Sequence, residues 1–136
     1  EADARAFAAQ PVHPLFPRLL VTLARDAQVI GCIGLEPAKV GAELGYWIAR
    51  PHWGQGYASE AVHALLDYLF DELKLHRVVA ECDVENLASQ KLLERLGFRR
   101  EAHLVENIFF KGQYGSEYHY AILQREWKGI PVPVVT

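Results

Sequence analysis

The hydrophobic spacing of the chain changes at a pair of glycines, Gly54 and Gly56. Ahead of them, the segment Glu43–Ala49 carries apolar and aromatic residues in a short run typical of a strand. From Ala58 onward, apolar residues recur every three or four positions and predict a helix; they are Val62, Leu65, Leu66, Leu69, Phe70 and Leu73. A strand, a glycine loop and a helix therefore follow one another directly, as in domains that mix the two kinds of element.

The remaining segments predict a single mixed domain. The Ala-rich segment 1–10 favours a helix, and Pro11, Pro14 and Pro17 predict a linker or an ordered turn after it. Two strands that form an antiparallel hairpin are expected before the loop, and a strand, a short helix and a final strand pair after the main helix, at 19–24, 28–35, 77–82, 86–96, 98–110 and 114–123. We expect one α+β (mixed α/β) domain over 1–136, with a central sheet flanked by helices and an extended tail at 129–136.

Composition excludes several classes of protein. The 136 residues, 51% of them hydrophobic, suffice for one core and are too few for two domains. The formal charge of -3 and the lack of a Lys/Arg cluster argue against a nucleic-acid partner. No apolar run reaches membrane-spanning length and no signal peptide is visible, so we expect a cytoplasmic protein without a membrane partner. Cys32 and Cys82 are interpreted as reduced core residues, and no metal site is expected because paired ligand spacing is missing.

The glycine loop itself predicts an anion site. A loop at a helix start directs free N–H groups and the positive end of the helix dipole outward, and glycines let a phosphate approach the backbone. The Rossmann pattern would need a third glycine where Ser59 stands, and the Walker pattern needs a Gly-Lys-Ser/Thr run that the chain lacks. Taken alone, the loop fits a strand–helix turn without any ligand equally well.

Further blocks make the pattern specific. The run 45–61, with Trp53-Gly54-Gln55-Gly56-Tyr57-Ala58 at its centre, resembles the coenzyme A signature of the GCN5-related N-acetyltransferases, and within that superfamily the RimJ/RimL subgroup. The block 86–98 is similar to the Asn-x-x-Ser/Ala…Gly-Phe motif of that family, and 112–120 to its closing hairpin. Because the family begins with a strand and a helix ahead of the segment that starts here, the resemblance implies an N-terminally incomplete chain that lacks them.

The resemblance implies an acetyl-CoA-dependent N-acetyltransferase. The acetyl group would pass directly to a primary amine, either a protein N-terminal α-amine or a small-molecule amine, and a homodimer is compatible with it. Backbone N–H groups near Trp47 or Ile48 would polarise the thioester carbonyl, and Asn86 would both cap its helix and contact the pantetheine arm. The implied cofactor-binding residues are Trp47, Ile48, Ala49, Trp53, Gly54, Gln55, Gly56, Tyr57, Ala58, Asn86 and Ser89.

The catalytic candidates are one serine and two glutamates. Where many relatives carry a proton-donating Tyr this chain has Leu93, so Ser89 is the candidate that stabilises or protonates the thiolate; an ordinary first-turn serine is the alternative. Glu43 and Glu106 are the candidate bases. Ile108 occupies the position of the proposed base in RimL-like enzymes, and Glu106 would share its strand face. Either acid is equally compatible with a solvated surface charge.

Two other functions stay open at this point. A catalytically weak coenzyme A-binding sensor or assembly module is favoured by Leu93 and Ile108, since both stand where relatives carry reactive side chains. An unrelated phosphate-binding fold is the second alternative, and it predicts that coenzyme A does not bind.

Overall fold

The computed structural model describes residues 4–13 and 16–127, with side chains from residue 19 onward. Within these described residues, seven strands form one sheet in the order β1-β2-β3-β4-β5-β7-β6. The strands are β1 (Ala4–His13), β2 (Phe16–Leu23), β3 (Val29–Ala38), β4 (Gly41–Ile48), β5 (Arg77–Asp83), β6 (Arg99–Phe110) and β7 (Gln113–Leu123). The helices are α1 (Tyr57–Asp67), which continues as a π-helical turn (Tyr68–Glu72), α2 (Leu87–Arg95), α3 (Gln124–Trp127) and a 3₁₀ turn (Arg50–His52).

The pairing confirms the mixed sheet. All neighbouring strands run antiparallel except β4 and β5, which are parallel. The predicted hairpin is β2 with β3, and the predicted final strand pair is β6 with β7. The parallel pair therefore joins two antiparallel halves, β1 to β4 on one side and β5 to β6 on the other.

The helix expected over 1–10 is wrong for its described part. Residues 4–13 form the edge strand β1, because pairing along β2 outweighs the helix propensity of alanine. Pro11 and Pro17, expected in a linker, face each other across this pair; β2 reaches its first partner on β3 only at Leu19, so Pro17 removes no hydrogen bond from the sheet interior. Pro14 and the tail 129–136 lie outside the described residues.

The predicted helical stripe forms the core contact of α1. Leu73 is only partly buried, and the other apolar residues of the stripe, Val62, Leu65, Leu66, Leu69 and Phe70, are all buried against the sheet. The last two lie in the π-helical turn, where one extra residue per turn widens the helix, a feature that the spacing alone does not reveal. None of the helices in the described part of the chain is long and apolar enough to cross a membrane.

A gap in the sheet positions the site. The parallel pairing of β4 and β5 lasts four residues, from Gly41↔Arg77 to Leu44↔Ala80. At its start the strands approach so closely that a Cβ on Gly41 would lie 1.6 Å from the Arg77 carbonyl oxygen. Beyond Leu44 the two strands separate, although β4 continues to Ile48 and β5 stays paired with β7 as far as Asp83. A V-shaped opening results.

Candidate active site

The gap leaves backbone groups of β4 without a strand partner. Ala49 donates its N–H to the Ile30 carbonyl over 2.7 Å, and the β3–β4 register alternates from there. The odd-numbered residues of β4 therefore bond to β3, whereas Tyr46 and Ile48 direct their backbone groups toward the gap. One of these backbone groups, the Ile48 carbonyl, accepts a hydrogen bond from the Trp53 indole N–H over 2.5 Å. Of the two N–H groups expected to polarise a carbonyl, only that of Ile48 faces the gap; that of Trp47 faces β3.

One face of the sheet carries a hydroxyl pair beside the gap. Tyr46 and Cys82 are the second residues past the last β4–β5 pair, so both project toward α2. The Tyr46 hydroxyl lies 2.5 Å from Ser89 Oγ, and the Ser89 N–H donates to the Asn86 side chain over 3.1 Å, which caps α2 as predicted. Burial raises the pKa of Tyr46 to about 12. It also raises the pKa of the Cys82 thiol, against the opposing effect of a hydrogen bond with Ser89.

The opposite face carries a cleft of about 470 Å³ that is rich in carboxylates. Its lining residues come from β3, β4, β5 and β7, and include Glu36, Glu43, Glu81, Glu117, Trp47 and Cys32. Gly34 and Gly45 face each other on its floor, where added Cβ atoms would meet nothing within 4 Å. The absent side chains therefore leave a slot between the pair Cys32–Trp47 and the pair Glu36–Glu43.

The carboxylates of this cleft interact with one another. Burial raises the pKa of Glu43, and the neighbouring Glu81 carboxylate raises it further, so Glu43 can accept a proton closer to neutral pH than an isolated glutamate. The Glu81 carboxylate lies 2.8 Å from His119 Nε2. One ligand atom from each of Glu81, Glu117 and His119 lies within 4.8 Å of the other two, a spacing that can surround a single cationic group.

The glycine loop presents a row of free N–H groups. Gly54 and Gly56 have φ angles of 74° and 83°, and Gly56 is the N-cap of α1 without any side-chain cap. Among the hydrogen bonds of the described residues, none is donated by the backbone of residues 54–59. These donors and the dipole of α1 are suited to an anion, and the Arg50 guanidinium, 5.3 Å from the centre of the Trp53 ring, adds a positive charge beside them.

The structure brings most predicted residues to the gap, with one exception. The end of β4, the loop, the start of α2 and Glu43 all border it. Glu106 does not line the cleft: it is exposed, lies in a bulge between Leu104 and Ile108 with φ 50°, and donates its N–H to Ser116 Oγ. The bulge breaks the strand alternation on which its assignment depended, so Glu106 does not share a regular strand face with Ile108.

Several residues around the gap were not predicted. Tyr46, Cys82, Glu81, Glu117 and His119 come from three strands whose mutual register decides which of them meet. Tyr46 carried a sequence signal, because it lies one residue from Trp47 inside the quoted signature.

Comparison with known proteins gives a consistent result. Residues 2–99 match the family described as Acetyltransferase (GNAT) domain. The N-acetyltransferase p20 of Bacillus licheniformis is 38% identical over 115 residues, which cover 82% of this chain and 65% of p20. The ribosomal-protein-serine acetyltransferase of Escherichia coli is 34% identical over 100 residues, covering 71% of this chain and 56% of that protein. The chain thus spans between about half and two thirds of these curated relatives.

A solved structure agrees over a similar range. The spermidine N-acetyltransferase from Vibrio cholerae in complex with CoA and spermine has a TM-score of 0.76 and 33% sequence identity. The match covers 84% of this chain and 69% of that one.

Proposed function

The chain belongs to the GNAT acetyltransferase family, and we propose that it transfers the acetyl group of acetyl-CoA directly to a primary amine of a cationic acceptor. The observation that carries this proposal is the gap between β4 and β5. Backbone N–H groups suited to a phosphate lie at one end of the gap, a hydroxyl pair lies on one face of the sheet, and the glutamate cleft lies on the other face. Direct transfer needs a positioned thioester, a polarised carbonyl, a neutral amine and a stabilised leaving thiolate. For each of these four requirements, a suitable chemical group lies beside the gap.

The cofactor would lie along β4. The free N–H groups of residues 54–59 suit its pyrophosphate, and the unpaired N–H groups of Tyr46 and Ile48 suit an extended, amide-containing arm laid into the gap. The arm then takes the place of the missing β5 partner. The Ile48 N–H is the donor that would polarise the thioester carbonyl, since it faces the gap whereas the Trp47 N–H faces β3.

The acceptor amine would enter from the glutamate face. Carboxylates there attract an ammonium ion, and the exposed Trp47 ring offers a cation–π surface on the wall of the slot. Glu43 is the proposed base, because its raised pKa lets it take a proton from the amine close to neutral pH. As the nitrogen attacks, the C–N bond forms, the C–S bond breaks and the electron pair leaves on sulfur.

The leaving thiolate would emerge on the other face. Ser89 is the proposed donor, and it stabilises the thiolate by a hydrogen bond rather than by giving up its proton, because a serine alkoxide is far more basic than a thiolate. The thiolate later takes a proton from water. Asn86 holds the start of α2, and with it Ser89, through its cap.

A polyamine suits this cleft better than a protein N-terminus. A spermidine acetyltransferase and a ribosomal-protein-serine acetyltransferase are both relatives, so identity alone favours neither. The four glutamates of the cleft complement several positive charges, whereas an α-amine brings one. The RimJ/RimL-type acceptor is therefore the second candidate. A coenzyme A-binding module without turnover is the third, favoured by the buried Leu93 in place of a proton donor.

An amine panel tests these candidates. Thiol release from acetyl-CoA is measured with spermidine, with spermine, with a peptide that begins with serine, and in a blank without amine. In parallel, the unfolding temperature of the protein is measured with and without CoA. We expect release with the polyamines and a rise in unfolding temperature with CoA. Release with the peptide alone would favour the RimJ/RimL-type acceptor, and thermal protection without release in any sample would favour the binding module. Neither protection nor release would refute the whole proposal.

A further inference from the structure

Tyr46 is tied to the proposed thiolate donor across the fold. Its hydroxyl lies 2.5 Å from Ser89 Oγ although the two residues are 43 positions apart, and either oxygen can be the donor in this bond. The ring of Tyr46 packs against the hydrophobic core, so the phenol has little freedom to leave the serine. The bond therefore fixes the Ser89 side chain from the strand side.

The environment of Ser89 is closed on two further sides. Its backbone N–H donates to the Asn86 side chain, and the Cys82 thiol is a close neighbour, since Ser89 acts to lower the pKa of that thiol. A hydroxyl has one proton to donate, and this proton points at the phenol, at the thiol or into the gap. Only the last direction helps a leaving thiolate, so the direction of the Tyr46–Ser89 bond matters for chemistry.

The phenol is poorly suited to act as an acid itself. With a pKa of about 12 it stays protonated well above the range in which an ordinary thiol, near 8.5, ionises. Transfer of its proton to a thiolate would therefore be unfavourable. A phenol that keeps its proton can, however, donate a hydrogen bond throughout the neutral pH range.

We propose that Tyr46 is a positioning residue that donates its O–H to Ser89 Oγ and thereby keeps the Ser89 proton from pointing at the phenol, so that this proton is available to the leaving sulfur in the gap. This inference rests on the proposed function, in particular on the role of Ser89. Tyr46 does not touch the sulfur; it acts through the serine, and polarisation along the two hydroxyls strengthens the second hydrogen bond. The phenol thus comes from β4, while the helical position 93 is filled by a buried leucine.

A double-mutant cycle tests the inference on the full chain. Tyr46→Phe keeps the ring and removes the hydroxyl, Ser89→Ala removes the proposed donor, and Tyr68→Phe, at an exposed tyrosine of the π-helical turn, is the matched control. For each variant, kcat and the KM for acetyl-CoA are measured by thiol release with the best amine of the panel, and CoA protection is measured by thermal unfolding.

We expect Tyr46→Phe to lower kcat about 5- to 10-fold, the usual effect of one hydrogen bond, with KM and CoA protection unchanged. Ser89→Ala should lower kcat about 10- to 100-fold, and the double variant should match Ser89→Ala alone, because the phenol acts only through the serine. Effects that multiply in the double variant, or a wild-type kcat for Tyr46→Phe, would overturn the inference while the proposed function stands. A wild-type chain that releases no thiol with any amine overturns both.

Discussion

The cap of α2 offers a substitution pair that separates stability from cofactor binding. Asn86 accepts the Ser89 N–H over 3.1 Å at an exposed helix start. Asn86→Ala removes this acceptor, which costs about 1 kcal/mol of folding free energy. For a domain of 136 residues that loss lowers the melting temperature by about 3–4 °C. Asn86→Asp keeps an acceptor and adds a charge that the helix dipole favours, so its melting temperature should stay within about 2 °C of the wild-type value.

The same two variants should differ in cofactor binding in another way than they differ in melting temperature. If Asn86 also contacts the cofactor arm, as the resemblance implies, Asn86→Asp removes the amide donor to that arm. We expect the KM for acetyl-CoA to rise about 10-fold or more in Asn86→Asp despite its intact fold. The assay is thiol release with varied acetyl-CoA, beside thermal unfolding without ligand. A wild-type KM in Asn86→Asp would refute the cofactor contact, and a wild-type melting temperature in Asn86→Ala would refute the cap.

Four further substitutions probe the gap and the loop. Gly41→Ala should cost about 3 kcal/mol in urea unfolding, because its Cβ would collide with the Arg77 carbonyl, whereas Gly45→Ala, with open space around it, should cost nothing. Glu43→Gln should lower kcat and abolish the acid limb of the pH–rate profile. The raised pKa of Glu43 means that its carboxylate binds a proton more tightly in the folded state than in the unfolded state. Wild-type stability therefore falls as pH rises through the shifted pKa. Thermal unfolding across pH should show that Glu43→Gln lacks this dependence. Gly56→Val should abolish CoA protection, since φ is 83° and a branched side chain would block phosphate approach; retained protection would contradict the role of the loop.

The middle of the fold was readable from sequence because its signals are local. A strand, a glycine loop and a stripe of apolar residues are each set by neighbours in the chain, and β4, the loop and α1 lie where predicted. The prediction for the N-terminal segment was wrong because it, too, relied on local signals. Its alanines favour a helix locally, but strand β1 exists because β2 lies beside it, and no local pattern reports that neighbour.

The site was predictable only where it follows one segment. The glycine loop and Asn86 belong to motifs with fixed internal spacing, so their positions at the starts of α1 and α2 could be predicted residue by residue. The glutamate cleft collects side chains from four strands, and its members Glu81 and Glu117 carry no signal of their own. Glu106 was expected to share a strand face with Ile108, but a bulge that could not be predicted from the sequence places it elsewhere.

The chemistry proposed for the gap depends on a one-residue register. Side chains of a strand alternate between faces, so Tyr46 reaches Ser89 on one side of the sheet while Glu43 lies in the cleft on the other. A slip of β4 by a single residue against β5 would exchange these faces and move the carboxylate to the face that carries Ser89. The close approach of Gly41 to Arg77 stands three residues ahead of the gap and admits no side chain there. Glycine at position 41 is therefore tied to function through register, although it touches neither the cofactor loop nor the cleft.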